Sequence, residues 1–169
     1  MSEAFLQTRL GGDLVVREPL DDPHAFAIEL AHEALRTAFD SEWRVRVLLP
    51  VALDEESEPE PDISVAPSPV PHGSEAKPSR LALVVEIAGS NLAIERDFKG
   101  SYYARAPVPE YWIVNLTDEV LEVCRQPVRS AASRHGSKYR SVRLLRRGAT
   151  VTPLAAKRRV AVADLLPPR

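Results

Sequence analysis

Apolar residues between His24 and Phe39 recur at helical spacing, at Ile28, Ala31, Leu35, Ala38 and Phe39. The pattern predicts an amphipathic helix with one buried face. Asp22 and Pro23 supply the residue types of a helix start, Asp22 as the cap. Ahead of it, Gly11-Gly12 predicts a turn and Asp13-Leu14-Val15-Val16 a short strand. From Trp43 to Leu53 the β-branched run around Val45-Arg46-Val47-Leu48-Leu49 predicts a strand. Residues 54–60 are acidic, and Pro59 and Pro61 forbid a helix there. A very short strand, Asp62-Ile63-Ser64-Val65, comes next, and residues 66–80 read as an exposed loop rich in Pro, Ser and Gly. Leu81 to Ile87 is almost continuously apolar, the mark of a central strand covered on both faces.

After a break at Gly89-Ser90-Asn91, a helix is predicted from Ala93 to Ala106, ended by Pro107 and Pro109. Glu110 to Asn115 predicts another buried strand, paired with Val120 to Arg125 through a turn around Thr117-Asp118. Beyond it, short basic strands alternate with turns at Gly136 and Gly148, before a last apolar turn from Val162 to Leu166. The order predicts an α/β fold, a mixed sheet with helices, in one domain spanning residues 1–169.

Composition narrows the class. Hydrophobic residues make up 44% and charged residues 27%, as in an ordinary globular protein. No apolar run approaches the roughly 20 residues of a membrane-spanning helix. The first residues lack the basic and apolar segments of a secretory signal, and a single cysteine, Cys124, excludes an internal disulfide or a multi-cysteine zinc site. These features imply a cytoplasmic protein. The net charge of -2 hides an asymmetry. Up to Cys124 there are 10 Lys and Arg against 23 Asp and Glu, whereas Arg125 to Ala163 holds 11 Lys and Arg and no acid. A basic end on an acidic body suits a polyanion, with Arg140, Arg143, Arg146 and Arg147 as candidate nucleic-acid contacts. Arginines that merely coat solvent-exposed strands give the same pattern.

Two acids stand out because their strands argue against them. Asp62 follows Pro61 at the head of a β-branched strand, and Glu86 lies near the end of the most apolar one. A buried charge is costly unless it is paired or binds a metal. Neighbouring carboxylates repel, and a divalent cation between them removes the conflict. Hard oxygen ligands select Mg2+ or Mn2+ over zinc. Lys99, thirteen residues after Glu86, falls on the helix that begins beside that strand's end, where it could orient a water or stabilise charge on a phosphate. Asp97 shares those turns but points elsewhere. The same residues admit structural readings. Glu95 and Lys99 form a favourable i, i+4 surface pair, Asp62 could accept hydrogen bonds at a strand start, and Glu86 could pair with a buried arginine.

Three stretches together resemble a known family. They are Ser57 to Val65 with its Pro61-Asp62 step; Leu83-Val84-Val85-Glu86-Ile87 followed by Ser90, Asp97 and Lys99; and Tyr102 to Val114 with its Glu110-Tyr111-Trp112 run. The chain is similar to the Uma-type, restriction endonuclease-like family of the PD-(D/E)XK nuclease superfamily. The resemblance covers nearly the whole chain and is strongest from Glu58 to Val114. It implies a mixed sheet flanked by helices and Mg2+ held by Asp62, Glu86 and the backbone carbonyl of Ile87. The superfamily's lysine, two residues after the acid, is here Ala88, and Lys99 fits a relocation onto the helix. Gly12-Asp13-Leu14 and His24 match further family positions, making Asp13, His24 and Asp97 additional candidates. Gly89, Asn91, Pro107 and Asn115 depart from the usual residues. The implied activity is metal-dependent hydrolysis of DNA, with a homodimer placing one site on each strand. A nuclease fold that binds nucleic acid without cutting it, and a protein-interaction module, are the alternatives.

Overall fold

The structure is a computed structural model that describes residues 7–16, 20–70 and 77–169. Residues 1–6 and 17–19, and part of the expected loop, 71–76, lie outside the described residues. Six strands form one mixed sheet: β3 (Trp43–Val47), β4 (Ile63–Pro67), β5 (Leu83–Ala88), β6 (Glu110–Asn115), β7 (Val120–Arg129) and β8 (Ser137–Arg146), in the spatial order β3-β4-β5-β6-β7-β8. Every neighbouring pair is antiparallel except β5 and β6. That parallel pair needs a crossover connection, and the helical segment after β5 supplies it. A separate hairpin, β1 (Gln7–Leu10) and β2 (Asp13–Val16), turns at Gly11 and Gly12, whose φ angles of 58° and 87° suit a two-residue turn that most side chains resist.

Alternation along the strands sends side chains to two different cores. On one face Ile63, Val65, Leu83, Val85, Ile87, Trp112, Val114, Leu121 and Val123 pack against helix α1 (Asp22–Ala38) and the C-terminal segment. That segment comprises the two-stranded pair β9 (Thr150–Val151) and β10 (Val160–Ala161) and a 3-10 turn, Val162–Leu165. On the other face Ala66, Val84, Ala88, Tyr111, Ile113 and Cys124 meet Tyr102, Tyr103 and Ala104 from the crossover helix. Burying each large side chain contributes about 1.5–3 kcal/mol, so both cores hold the central strands in register.

Several boundaries differ from expectation for local reasons. Asp21, not Asp22, caps α1: its carboxylate accepts from the His24 amide at 2.9 Å. The strand expected through Leu53 stops at Val47, because Leu48 adopts a φ of 49° and leaves the sheet, its N–H donating to the Asp62 carbonyl at 3.0 Å. The strand expected to open at Asp62 begins one residue later. The basic region holds the end of β7, one ten-residue strand at the sheet edge, β8, and the short pair β9–β10. The crossover helix is not uniform either. A π-helical turn, Ile94–Lys99, runs directly into α2, Gly100–Arg105. The Gly100 amide donates to the Glu95 carbonyl, the i to i+5 bond that defines such a turn. A Cβ on Gly100 would lie 3.3 Å from that carbonyl and 3.6 Å from the Tyr111 ring, so glycine lets the helix settle close onto β6. No helix among the described residues is long and apolar enough to cross a membrane.

Candidate active site

Register brings the two anomalous acids together. Ile63 pairs with Val85 in the antiparallel ladder, so Asp62 lies across from Glu86 on the adjacent strand. The Asp62 amide points to Glu86 Oε2 at 3.4 Å, and the Ile87 amide donates to Asp62 Oδ2 at 2.8 Å. Both side chains are buried. Ile87 therefore meets Asp62 through its N–H.

The crossover helix closes the site from above. Lys99 Nζ stands 3.2 Å from Glu86 Oε2 and 3.0 Å from Glu95 Oε1. Tyr103 donates its hydroxyl to the other Glu86 oxygen, Oε1, at 2.8 Å. Glu95, Lys99 and Tyr103 form an i, i+4, i+8 stripe on one helix face. The i, i+4 pair expected on the surface is instead nearly covered, with side chains 13% and 14% exposed. Tyr111, on β6 beneath the helix, places its hydroxyl 3.1 Å from the Glu95 carbonyl oxygen and 3.3 Å from Oε2. At the opposite side, the first turn of α1 delivers His24, whose Nε2 lies 3.1 Å from Asp62 Oδ2.

The electrostatics follow from three carboxylates sharing this small buried space. Burial pushes the Glu86 carboxyl up to about 7, and the charges of Glu95 and Asp62 add to the rise while Lys99 and Tyr103 oppose it. Burial likewise raises Glu95. Asp62 goes the other way. Burial alone would raise it, but the hydrogen bond and charge of His24, the Lys99 charge and the Ile87 amide together hold it below the usual carboxylate range. Burial works against charge on His24 and Lys99, yet their acidic neighbours raise both. Three carboxyl groups thus share one ammonium and one imidazole in this space.

The other candidates lie elsewhere. Asp13 is exposed and faces Arg134 at 3.4 Å, outside the site. Asp97, although two residues from Lys99, is exposed and lines a separate cleft of about 430 Å³ between the helix and β6–β8. Arg140, Arg143 and Arg146 are exposed on β8, whereas Arg147 is tied to Glu119 and to the Pro167 carbonyl, each at 2.6 Å. Glu86 pairs with a lysine, not with the arginine its burial alone would suggest. Cys124 is buried in the sheet, and burial pushes its thiol up to about 12, which keeps it inert.

Sequence reasoning missed Glu95 and Tyr103. The available signal was the four-residue spacing of Glu95, Lys99 and Tyr103. Once Lys99 faces the sheet, the same face must carry the other two.

Comparison with known proteins agrees with this architecture. A crystal structure of "a putative nuclease belonging to DUF820" from Anabaena variabilis superposes with a TM-score of 0.69 over 94% of this chain and 88% of that one, at 14% sequence identity. At that identity the likeness is one of fold. No curated protein matches the chain. The family model Uma2, described as "Putative restriction endonuclease", matches residues 6–162. With that match spanning nearly its whole length, the chain belongs to the Uma2 family and carries the restriction endonuclease-like fold.

Proposed function

We propose that this chain is a Mg2+-dependent endodeoxyribonuclease that hydrolyses DNA phosphodiester bonds at the Asp62–Glu86 site. The observation that carries the reading is the buried pair of acids on adjacent strands, with Lys99 against them. Family membership supports the reaction class.

The donor set suits a hard cation. Asp62 and Glu86 offer carboxylate oxygens on one side of the β4–β5 ladder, in surroundings with an excess of negative charge. Among the described residues no group of three or more His, Cys, Asp or Glu is arranged to hold a metal ion. Mg2+ does not require one, since it keeps several waters and takes one or two carboxylates together with substrate phosphate. In this reading Asp62, Glu86 and the Ile87 carbonyl hold the ion. When bound, it supplies Lewis-acid stabilisation of the phosphate and a more acidic water. The protein's own residues set the geometry. His24 and the Ile87 amide fix the Asp62 carboxylate, Tyr103 fixes Glu86, and Lys99 places positive charge where the phosphate gains negative charge.

The test is cleavage of DNA with Mg2+ or Mn2+, compared with EDTA, for the wild type and for Asp62→Ala and Glu86→Ala. Each variant is expected to lose at least about a hundredfold in rate. Equal cleavage by all three would overturn the assignment and indicate a contaminating nuclease. A second reading, a nuclease fold that only holds DNA, draws on the exposed Arg140, Arg143 and Arg146 of β8. Metal-independent binding without products in the same assay would favour it.

A further inference from the structure

Lys99 presents a difficulty for any cation at this site. Its ammonium lies 3.2 Å from Glu86 Oε2, the oxygen that also faces the Asp62 amide. Tyr103 occupies the other oxygen, Oε1. A divalent ion approaching Glu86 must therefore contend with a lysine on the same carboxylate, and like charges so close in a buried site repel strongly. Lys99 cannot simply swing into water, because its side chain is only 14% exposed. It needs a second partner inside the protein.

Glu95 is that partner. Its Oε1 lies 3.0 Å from Lys99 Nζ, slightly nearer than Glu86. Its position is well fixed: the Tyr111 hydroxyl stands within 3.3 Å of Oε2, and the Gly100 amide holds its carbonyl in the π turn. Such turns replace the usual hydrogen-bond spacing and recur at functional sites.

We infer that Glu95 is a positioning residue that docks the Lys99 ammonium beside the Glu86 carboxylate, so that Lys99 and a divalent cation can occupy the site together. The inference rests on the reading of Asp62 and Glu86 as metal carboxylates. Glu95 acts through Lys99 and is not itself a ligand. Without it, Lys99 pairs with Glu86 alone and competes directly with the ion.

A double-mutant cycle separates these roles. Mn2+ affinity is measured by titration calorimetry for the wild type, Glu95→Gln, Lys99→Met and the double variant, each checked by thermal melting. Glu95→Gln is expected to weaken Mn2+ binding about tenfold when Lys99 is present, and by less than about twofold in the Lys99→Met background. Equal weakening in both backgrounds would make Glu95 a metal ligand and overturn the inference, as would no weakening in either. Should Glu95→Gln not fold, Glu95→Asp takes its place in the cycle, with a smaller but equally background-dependent effect. Asp62→Asn distinguishes the parent reading. If it binds Mn2+ as tightly as the wild type, or if the wild type binds none, that reading fails and the inference with it. If Asp62→Asn loses binding while the cycle shows no coupling, only the role of Glu95 is lost.

Discussion

Glu86 and Glu110 sit on adjacent strands, β5 and β6, and both are buried, yet their surroundings differ in the supply of donors. Glu110 Oε1 accepts from Trp112 Nε1 at 2.9 Å and from Arg125 Nε and Nη2 at 2.8 and 2.6 Å, while Oε2 accepts the Leu154 amide at 2.7 Å. One guanidinium serves that one carboxylate. Glu86 shares a single ammonium with Glu95 and faces Asp62 across the ladder. Burial of a carboxylate is therefore no mark of a site by itself. The mark is a local demand for positive charge that the surrounding side chains meet only in part. Glu122 belongs with Glu110: Arg96 grips it with two nitrogens at 2.9 and 2.6 Å, and Asn115 adds a third bond at 3.2 Å.

The largest expected effect breaks the structural cluster. Glu110→Ala leaves the Arg125 charge, the Trp112 N–H and the Leu154 amide without their acceptor, and is expected to cost about 3–5 kcal/mol, the range for one half of a buried pair. Urea denaturation measures it. Replacing both Glu110 and Arg125 by Met should recover the part of that loss that comes from the unpaired Arg125 charge, while the Trp112 N–H and the Leu154 amide stay without their acceptor. A Glu110→Ala protein as stable as the wild type would show that Glu110 does not meet the charge of Arg125 in a way that sets it apart from Glu86.

Part of this contrast is visible in the sequence. Asp62 and Glu86 announce themselves as acids in apolar strands, and the order of elements fixes the mixed sheet around them. The hairpin turn at Thr117-Asp118 sets Glu110 opposite Arg125, a pairing that counting outward from the turn would have found. Other features are hidden by physics that spacing alone does not express. An acid four residues before a lysine reads as a solvated helix pair, and only the packing of the crossover helix onto β6 turns Glu95 inward. No residue type in Ile94–Lys99 signals the π turn. Asp97 differs from Glu95 by two residues and faces a different cleft. His24 reaches Asp62 from 38 positions away, so the residues imply its place only through the family resemblance.

An intermediate effect should come from adding metal. A ligand that binds only the folded state stabilises it by about 2.7 kcal/mol at a hundred times its Kd. For a chain of this length that corresponds to a rise in Tm of roughly 5–10 °C. Mn2+ is expected to produce this rise in the wild type and in Glu110→Gln, and to lose it in Asp62→Asn and Glu86→Gln. A shift that persists in the latter two would move the cation away from the β4–β5 ladder.

The smallest expected effect is on stability at Glu86 in EDTA, and it is read through its pH dependence. The Glu86 carboxyl titrates near 7 when folded, because burial and the neighbouring acids disfavour its charge, against an ordinary value of 4.5. Between those values the folded state holds a proton that the unfolded state has released, so stability contributed by this group falls as pH rises from about 4.5 through 7. Glu86→Gln removes that ionisation while keeping an oxygen for the Tyr103 hydroxyl. At pH 5 the variant should lie within about 1 kcal/mol of the wild type, the scale of a single hydrogen bond. Toward pH 8 its relative stability should improve, since only the wild type must carry the additional buried charge. Denaturant unfolding across that range reads the difference directly. If the wild type instead gains stability over Glu86→Gln as pH rises, Lys99 fully satisfies Glu86, as Arg125 satisfies Glu110, and the unmet demand that distinguishes the two clusters is absent.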